Sequence, residues 1–405
     1  MRLVVVGASL AGLRAAQAAR AAGFEGKLTV VGDESHLPYT RPPLSKELLC
    51  GVQTPEQCAL PHGSLDVQWR LGAAATGLDR AAHQVLLADG ERIGYDRLVI
   101  ATGCRARTWP GPELEGVVTL RDLDDALALR ASLTSGARLL IVGAGFIGCE
   151  VAASARKRDV EVTVVDIAGQ PMLPLGAELG ARCARLHEEH GVDLRLGTGV
   201  SRLDLPQVEL TDGTKLEADV VLMALGAIPN TEWLRDSGLE LNPGVVCDAT
   251  LTTTADPDVL AAGDLVSWPH PLARGELVRV EHWTVAAEHG QLAGRNALLA
   301  RAERMPHDPP PYFWSDQYDV KIQAVGFPTA AERLEILELS PDGDRLVAVG
   351  AQDGQLVGVI AFNAAKRLAW YRRQLAGGPA RMDQIRELVT ADAGALGPPP
   401  VEVAG

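Results

Sequence analysis

Runs that are largely apolar, not apolar at every second position only, punctuate this chain, and most stop at a glycine or another small residue. Residues 3–6 and 28–31 form one pair, interrupted only by Thr29, and residues 139–142 and 160–165 a second, in which Glu161 and Thr163 interrupt the last run before Asp166; shorter runs lie within 96–103, 219–226 and 259–264. Strands of a parallel sheet covered on both faces carry that pattern. Between the first pair of runs an Ala-rich segment, 13–22, closed by Gly23, predicts a helix; between the second pair a helix is predicted to continue through Glu150 to about Arg158. Another helix is predicted over 123–133. Past the proline-rich stretch 306–311 the pattern changes. Strand-like runs at 346–349 and 356–360 and a helix near 364–375 predict a smaller α+β domain, and 394–405 reads as a loose tail.

Two segments thus read strand, glycine turn, helix, strand over about 30 residues, the setting in which a glycine fingerprint carries weight. The first turn is Gly7-Ala8-Ser9-Leu10-Ala11-Gly12 and the second is Gly143-Ala144-Gly145-Phe146-Ile147-Gly148. In such a turn the first glycine makes the bend, the middle position lets a pyrophosphate approach the backbone, and the last lets helix and strand pack closely. The helix N-terminus beyond it offers free N–H groups to phosphate. Ser9 holds the middle position of the first turn, and its side chain would set the phosphates slightly further out. An acidic residue follows each unit, Asp33 and Asp166. With no arginine immediately after it, Asp166 would accept from both hydroxyls of an adenosine ribose and repel a 2′-phosphate, favouring NADH over NADPH. Glu150 either complements its helix dipole or holds a polar group of the bound nicotinamide. The fold class is therefore α/β: two Rossmann-like dinucleotide-binding domains plus a C-terminal α+β domain. The expected boundaries are 1–108 with 232–311, 109–231, and 312–405.

Composition narrows the partners. The 405 residues carry a net charge of −14, which argues against a nucleic-acid binder but leaves room for a local basic face. The six cysteines, Cys50, Cys58, Cys104, Cys149, Cys183 and Cys247, form no short-spaced pair, so neither a zinc site nor a redox disulfide of the usual spacing is expected. No metal is expected at all. The opening residues enter a strand at once and no long apolar run follows, which leads us to expect a cytoplasmic protein with no membrane partner, monomeric by default.

Further stretches complete a resemblance. They are Pro38-Tyr39-Thr40-Arg41-Pro42-Pro43-Leu44-Ser45-Lys46, Gly263-Asp264 and Phe313-Trp314-Ser315-Asp316-Gln317-Tyr318. With the turn from Gly143 to Glu150, they make the chain resemble the FAD- and NADH-dependent ferredoxin reductases of bacterial oxygenase systems, similar in fold to glutathione reductase but without its disulfide. That resemblance implies an oxidoreductase whose partner is a 2Fe-2S ferredoxin. It implies that Gly7, Ser9, Leu10, Ala11 and Gly12 hold the FAD pyrophosphate, with Asp33 near the ribose and Ala75 near the adenine. Ala101, Thr102 and Gly103 would lie at the ligand edge of that sheet, Arg41 and Lys46 beside the flavin, and Arg121, Gly263 and Asp264 at its phosphate and ribityl regions. Glu281, His282 and Trp283 would meet its pyrimidine side. Gly143, Gly145, Phe146, Ile147, Gly148, Asp166 and Gly226 would hold NADH. Glu150 would meet the carboxamide, Trp314 would stack near the nicotinamide, and Lys46 and Glu150 are expected to pair. Lys46, Glu150 and Trp314 form the expected catalytic set. Candidate docking cations for ferredoxin are Lys366, Arg367, Arg372 and Arg373, with Arg295, Arg301 and Arg304. Two alternatives stand beside this: an NADH oxidase, peroxidase or rubredoxin reductase on the same fold, with Cys50 as the nearest thiol, and an NADH-sensing module resembling apoptosis-inducing factor.

Overall fold

In the computed structural model, which describes residues 1–63, 65–392 and 394–397, the chain forms two compact units. The first comprises Met1–Thr40, Cys58–Arg105 and Ile228–Tyr312. Its main sheet is parallel throughout, in the order Val259–Ala261, Arg97–Ile100, Arg2–Val6, Lys27–Val31, Gln68–Arg70. The largely apolar runs sit at its centre, where both faces are covered. Helices Leu10–Ala21 and Trp283–Asn296 pack at backbone distance: a Cβ on Gly290 would stand 2.3 Å from the Ala11 carbonyl oxygen, and one on Gly294 would stand 2.2 Å from that of Ala15. Hydrophobic runs do not announce the second of these helices, because its contact face is made of Ala and Gly.

The second unit comprises Arg41–Gln57, Ala106–Ala227 and Phe313–Gly405. It repeats the plan in a parallel sheet ordered Asp193–Leu196, Glu161–Asp166, Arg138–Val142, Val220–Met223, Val117–Val118. The same unit holds a five-stranded sheet ordered Tyr312–Gln317, Val320–Gly326, Gln355–Phe362, Leu346–Gln352, Arg333–Leu339, with helices Ala365–Ala376 and Met382–Ala391. Helix Gly176–Glu189 packs against this sheet through Leu179 and Cys183, which share a core with Ile322, Ala348 and Ile360.

The expected loose tail is not loose where it is described. Leu396 N donates to Glu338 and Leu339 N donates to the Gly397 carbonyl; the rest of that expectation, 398–405, lies outside the described residues. No helix among the described residues is long and apolar enough to cross a membrane.

Candidate functional site

The two glycine turns are the same device built twice. Gly7 N donates to Val31 O at 2.7 Å, and Gly143 N donates to Val165 O at 2.8 Å. Gly7 has φ +122° and Gly143 φ +113°. A Cβ at Gly7 would lie 2.0 Å from Ala101 O, and one at Gly143 would lie 2.3 Å from Ala224 O. Five residues on, a Cβ at Gly12 would lie 1.8 Å from Gly7 O and one at Gly148 would lie 2.0 Å from Gly143 O. These cradles leave backbone N–H groups at a helix start open to a pyrophosphate, so both fit a bound dinucleotide.

The same comparison describes the backbone at Ser9. Ser9 and Gly145 are the caps of their helices, with φ −107° and −76°, both extended. A Cβ at Gly145 meets nothing within 4 Å. The protein itself therefore asks for neither a left-handed backbone nor an absent side chain at the middle position, and Ser9 does not bend the turn. Its hydroxyl makes no cap hydrogen bond of its own. We expect Gly148→Ala, whose methyl meets a carbonyl that cannot move, to abolish NADH binding; titration of the variant with NADH checks it.

The acids differ between the turns. Asp166 follows directly on the strand pair, and its Oδ2 accepts from Ala144 N at 2.6 Å while Oδ1 accepts from Ala168 N at 2.8 Å. It anchors the glycine turn and keeps further lone pairs on both oxygens. In the first unit, the register of Val6 with Val31 against that of Val142 with Val165 puts Gly32 in the corresponding place. A Cβ there would sit 2.5 Å from the Ala8 methyl, so the acid is displaced by one to the exposed Asp33.

A buried polar cluster forms in the second unit. The segment around Pro42–Ser45 docks along helix Phe146–Arg156, where Glu150 and Ser154 are one turn apart on one face. Ser154 Oγ donates to Ser45 O at 2.7 Å. Lys46 Nζ pairs with Glu150 Oε2 at 2.5 Å, with Pro42 O at 3.2 Å as a further acceptor. Ser45 Oγ donates to the same carboxylate oxygen at 2.6 Å. Glu150 is only 4% exposed. From strand Tyr312–Gln317, Ser315 Oγ donates to Glu150 Oε1 at 2.7 Å, and Gln317 Nε2 donates to Ser315 Oγ at 3.1 Å. Gln317 Oε1 lies 3.1 Å from His187 Nε2, and His187 Nδ1 lies 3.2 Å from the Tyr318 hydroxyl. Burial pushes the His187 imidazole down to about 4, so at neutral pH one ring nitrogen donates and the other accepts. Of the sequence's choice between a dipole partner and a ligand contact, the first explains little: Glu150 faces a cation and two hydroxyls.

The pyridine nucleotide-disulphide oxidoreductase family matches residues 1–290. The chain belongs to that family. A second match, to the reductase C-terminal family, covers residues 312–390. This oxidoreductase is 36% identical over 378 residues to the biphenyl dioxygenase system ferredoxin–NAD(+) reductase component of Paraburkholderia xenovorans, covering 91% of each chain. It is 35% identical to putidaredoxin reductase CamA of Pseudomonas putida over 395 residues, 90% of this chain and 91% of that one. Among solved structures, the covalent putidaredoxin reductase–putidaredoxin complex superposes with a TM-score of 0.89 at 32% identity, covering 97% of this chain and 99% of that one. A water-forming NADH oxidase from Lactobacillus brevis, with a TM-score of 0.81 at 19% identity over 92% of this chain and 89% of that one, shares the fold.

The other expected residues of this oxidoreductase fall into groups. Beside Gly7 and Gly12 in the first unit, a Cβ at Gly263 would lie 3.2 Å from that of Ala11, and Cys104 Sγ lies 3.7 Å from Asp264 O. Thr102 and Asn230 exchange hydrogen bonds of 2.8 and 2.9 Å, next to Gly103 at φ +60°. Ala75 opens strand Ala75–Asp79. His282 caps helix Trp283–Asn296, its imidazole pushed down to about 4 by burial against the opposing charge of Asp264; Glu281 accepts from Arg279 at 2.6 Å. In the second unit, Arg41 Nη1 donates to the Arg121 carbonyl at 2.5 Å, and Gly226, at φ +84°, accepts from Arg107 N. Trp314, next to Ser315 on its strand, alternates to the opposite face.

Two of the expected docking cations are corrected. Arg367 is 6% exposed and bound to Glu338 and Asp392, and Arg304 is 7% exposed and donates to Thr252 Oγ1 at 2.8 Å. Neither can present charge to a partner. Lys366, Arg373, Arg295 and Arg301 are exposed and Arg372 is half-buried. Ser45, His187 and the role of Gln317 escaped the sequence reading; the alternation of small polar residues at Ser315 and Gln317 in an otherwise aromatic strand was the available signal.

Proposed function

We infer that this oxidoreductase takes hydride from NADH onto FAD and passes single electrons to a 2Fe-2S ferredoxin serving a bacterial oxygenase. The observation that carries the reading is the pair of glycine cradles in one chain, followed by a reductase C-terminal domain, over nearly the full length of relatives named ferredoxin–NAD(+) reductase components. When bound, the two groups supply the redox chemistry: NADH yields two electrons together and the flavin releases them one at a time, as an iron–sulfur acceptor requires. Residues 1–108 with 232–311 form the FAD domain in this reading, 109–231 the NADH domain, and 312–405 the third.

The chain's own contribution is binding and electrostatics. Gly7, Ser9, Leu10, Ala11 and Gly12 hold the FAD pyrophosphate, and Asp264 and Arg121 hold its phosphate and ribityl regions. Gly143, Gly145 and Gly148 hold that of NADH, while Asp166 accepts from ribose hydroxyls and rejects a 2′-phosphate. Lys46 keeps a positive charge at the flavin edge. Glu150 Oε1, which among the described residues accepts only from Ser315, takes an N–H of the nicotinamide carboxamide, and Trp314 supplies an aromatic face. Free cysteines at all six positions fit a cytoplasmic protein.

The experiment is a set of NADH-driven assays of the FAD-loaded protein against 2Fe-2S ferredoxins, run over a range of ionic strength. Reduction of at least one of them, falling as salt rises, is expected if the exposed cations dock an acidic carrier. Turnover with oxygen or peroxide alone, abolished by Cys50→Ser, would instead identify an oxidase or peroxidase. NADH consumption that remains slow with every acceptor would identify a sensing module.

A further inference from the structure

The hydrogen bonds that end on Glu150 have a direction. Glu150 accepts from Lys46, Ser45 and Ser315. Ser315 gives its one proton to the carboxylate, so toward Gln317 it can only accept. Gln317 must therefore turn its amide NH2 to Ser315, and its carbonyl faces His187. That carbonyl requires a proton on His187 Nε2, which leaves Nδ1 to accept from the Tyr318 hydroxyl. Every rotamer, flip and tautomer in this series follows from the first acceptor. The far end is pinned as well. Tyr318 has φ +55°, a conformation costly for a bulky side chain, and its ring stacks on His190 at 3.6 Å and 18°. His187, Gln317 and Ser315 are all fully buried. Backbone strain and a buried polar series together mark an arrangement that simple core packing does not demand.

We propose that Tyr318, His187, Gln317 and Ser315 act as a one-way chain of hydrogen-bond donors that holds the Glu150 carboxylate as a fixed acceptor, which makes Ser315 and Gln317 positioning residues for hydride transfer. This rests on the reading that Glu150 meets the nicotinamide carboxamide. With Oε2 tied to Lys46 and Ser45 and Oε1 oriented by Ser315, one lone pair of Oε1 is left at a set angle. Besides Lys46, the charged or titratable groups that face the series are Cys149 on the helix of Glu150, and His190, Arg156 and Lys157 around Tyr318.

The test is single-turnover bleaching of the flavin by NADH in the FAD-loaded full chain, across the pH range where the protein stays folded, for Ser315→Ala, Gln317→Leu and Tyr318→Phe. The chain predicts a graded loss of limiting rate, about tenfold for Ser315→Ala and smaller at each step outward, with the acidic limb of the pH profile moved to higher pH and the NADH dissociation constant little changed. Ser315→Thr, which keeps the hydroxyl, should restore rate and profile. A purely structural role would lower FAD content or melting temperature and leave the profile in place. Tyr318→Phe, at the half-buried end, keeps the series readable if an inner variant fails to fold. Bleaching in all three variants at the wild-type rate and with the wild-type profile overturns the proposal. If NADH fails to bleach the wild-type protein, the functional reading fails first, and with it the premise.

Discussion

Replacing Lys46 with methionine should slow the reduction of bound FAD by NADH about a hundredfold while the flavin stays bound. Methionine reproduces the length of the lysine stem and removes only the charge. That charge is held still: Nζ lies 2.5 Å from Glu150, 3.2 Å from Pro42 O and 3.3 Å from Ser45 Oγ, on a side chain 12% exposed. A cation fixed in a site that excludes water stabilises developing negative charge without reorganising, and loss of one such group typically lowers a rate 10²- to 10³-fold. The substitution also strands Glu150, a buried carboxylate left with two hydroxyl donors, at a cost of about 3–5 kcal/mol. Lys46→Met/Glu150→Gln, which removes both charges, should recover melting temperature and so isolates the cost of the stranded carboxylate, while the rate is read in Lys46→Met alone. The measurement is loss of flavin absorbance in a single turnover, and an unchanged rate in Lys46→Met sinks the electrostatic role.

The second large effect lies in the C-terminal sheet. Arg367→Met should destabilise that region by about 3–5 kcal/mol. Arg367 Nε donates to both Glu338 oxygens at 2.7 and 2.8 Å, and Nη1 donates to Asp392 at 2.5 Å. Glu338 is fully buried and also accepts from Tyr371 at 2.5 Å and from Leu396 N at 2.9 Å. Removing the guanidinium leaves a carboxylate in a dry core with neutral donors only. Glu338→Leu/Arg367→Met, which removes both charges, should recover most of the loss, since burying an ion pair gains little over apolar packing. Hydrogen exchange over Arg333–Leu339 reads the change directly: exchange faster by about 10² or more in the single variant and near normal in the double. Equal protection in all three proteins would show that the pair carries no stability.

Charge patterning read Arg367 as a surface cation, and the error is instructive. Its helix presents Lys366, Arg367, Arg372 and Arg373 within eight positions, and nothing local separates the inward member from the outward ones. Its partner Glu338 is 29 residues away. The same distance problem hid the Glu150 cluster: the expected pair of Lys46 with Glu150 forms, but Ser315, Gln317 and His187 reach it from a strand and a helix whose relation to it no periodicity encodes. Ser9 is the opposite case. It departs from the fingerprint in residue type, yet the extended φ that it shares with its counterpart Gly145 shows a backbone that asks for no glycine. Helices Gly176–Glu189 and Met382–Ala391 were legible, since Leu179, Cys183 and His187 in one and Met382, Ile385 and Val389 in the other recur at helical spacing; Trp283–Asn296 was not, because its contact face is glycine and alanine.

The sequence by itself determined the two nucleotide units, their strand–turn–helix order and the roles of Gly7, Gly12, Gly143 and Gly148. The reason is physical: those glycines answer to backbone atoms five residues away or to a neighbouring strand of fixed register, so local spacing suffices. Tertiary structure alone decided that Glu338 meets Arg367, which arginines are buried, and which way the hydrogen bonds run from Tyr318 to Glu150. Hydrogen bonds between side chains 29 to 165 residues apart depend on packing geometry to fractions of an ångström, and no local pattern in the chain carries that information.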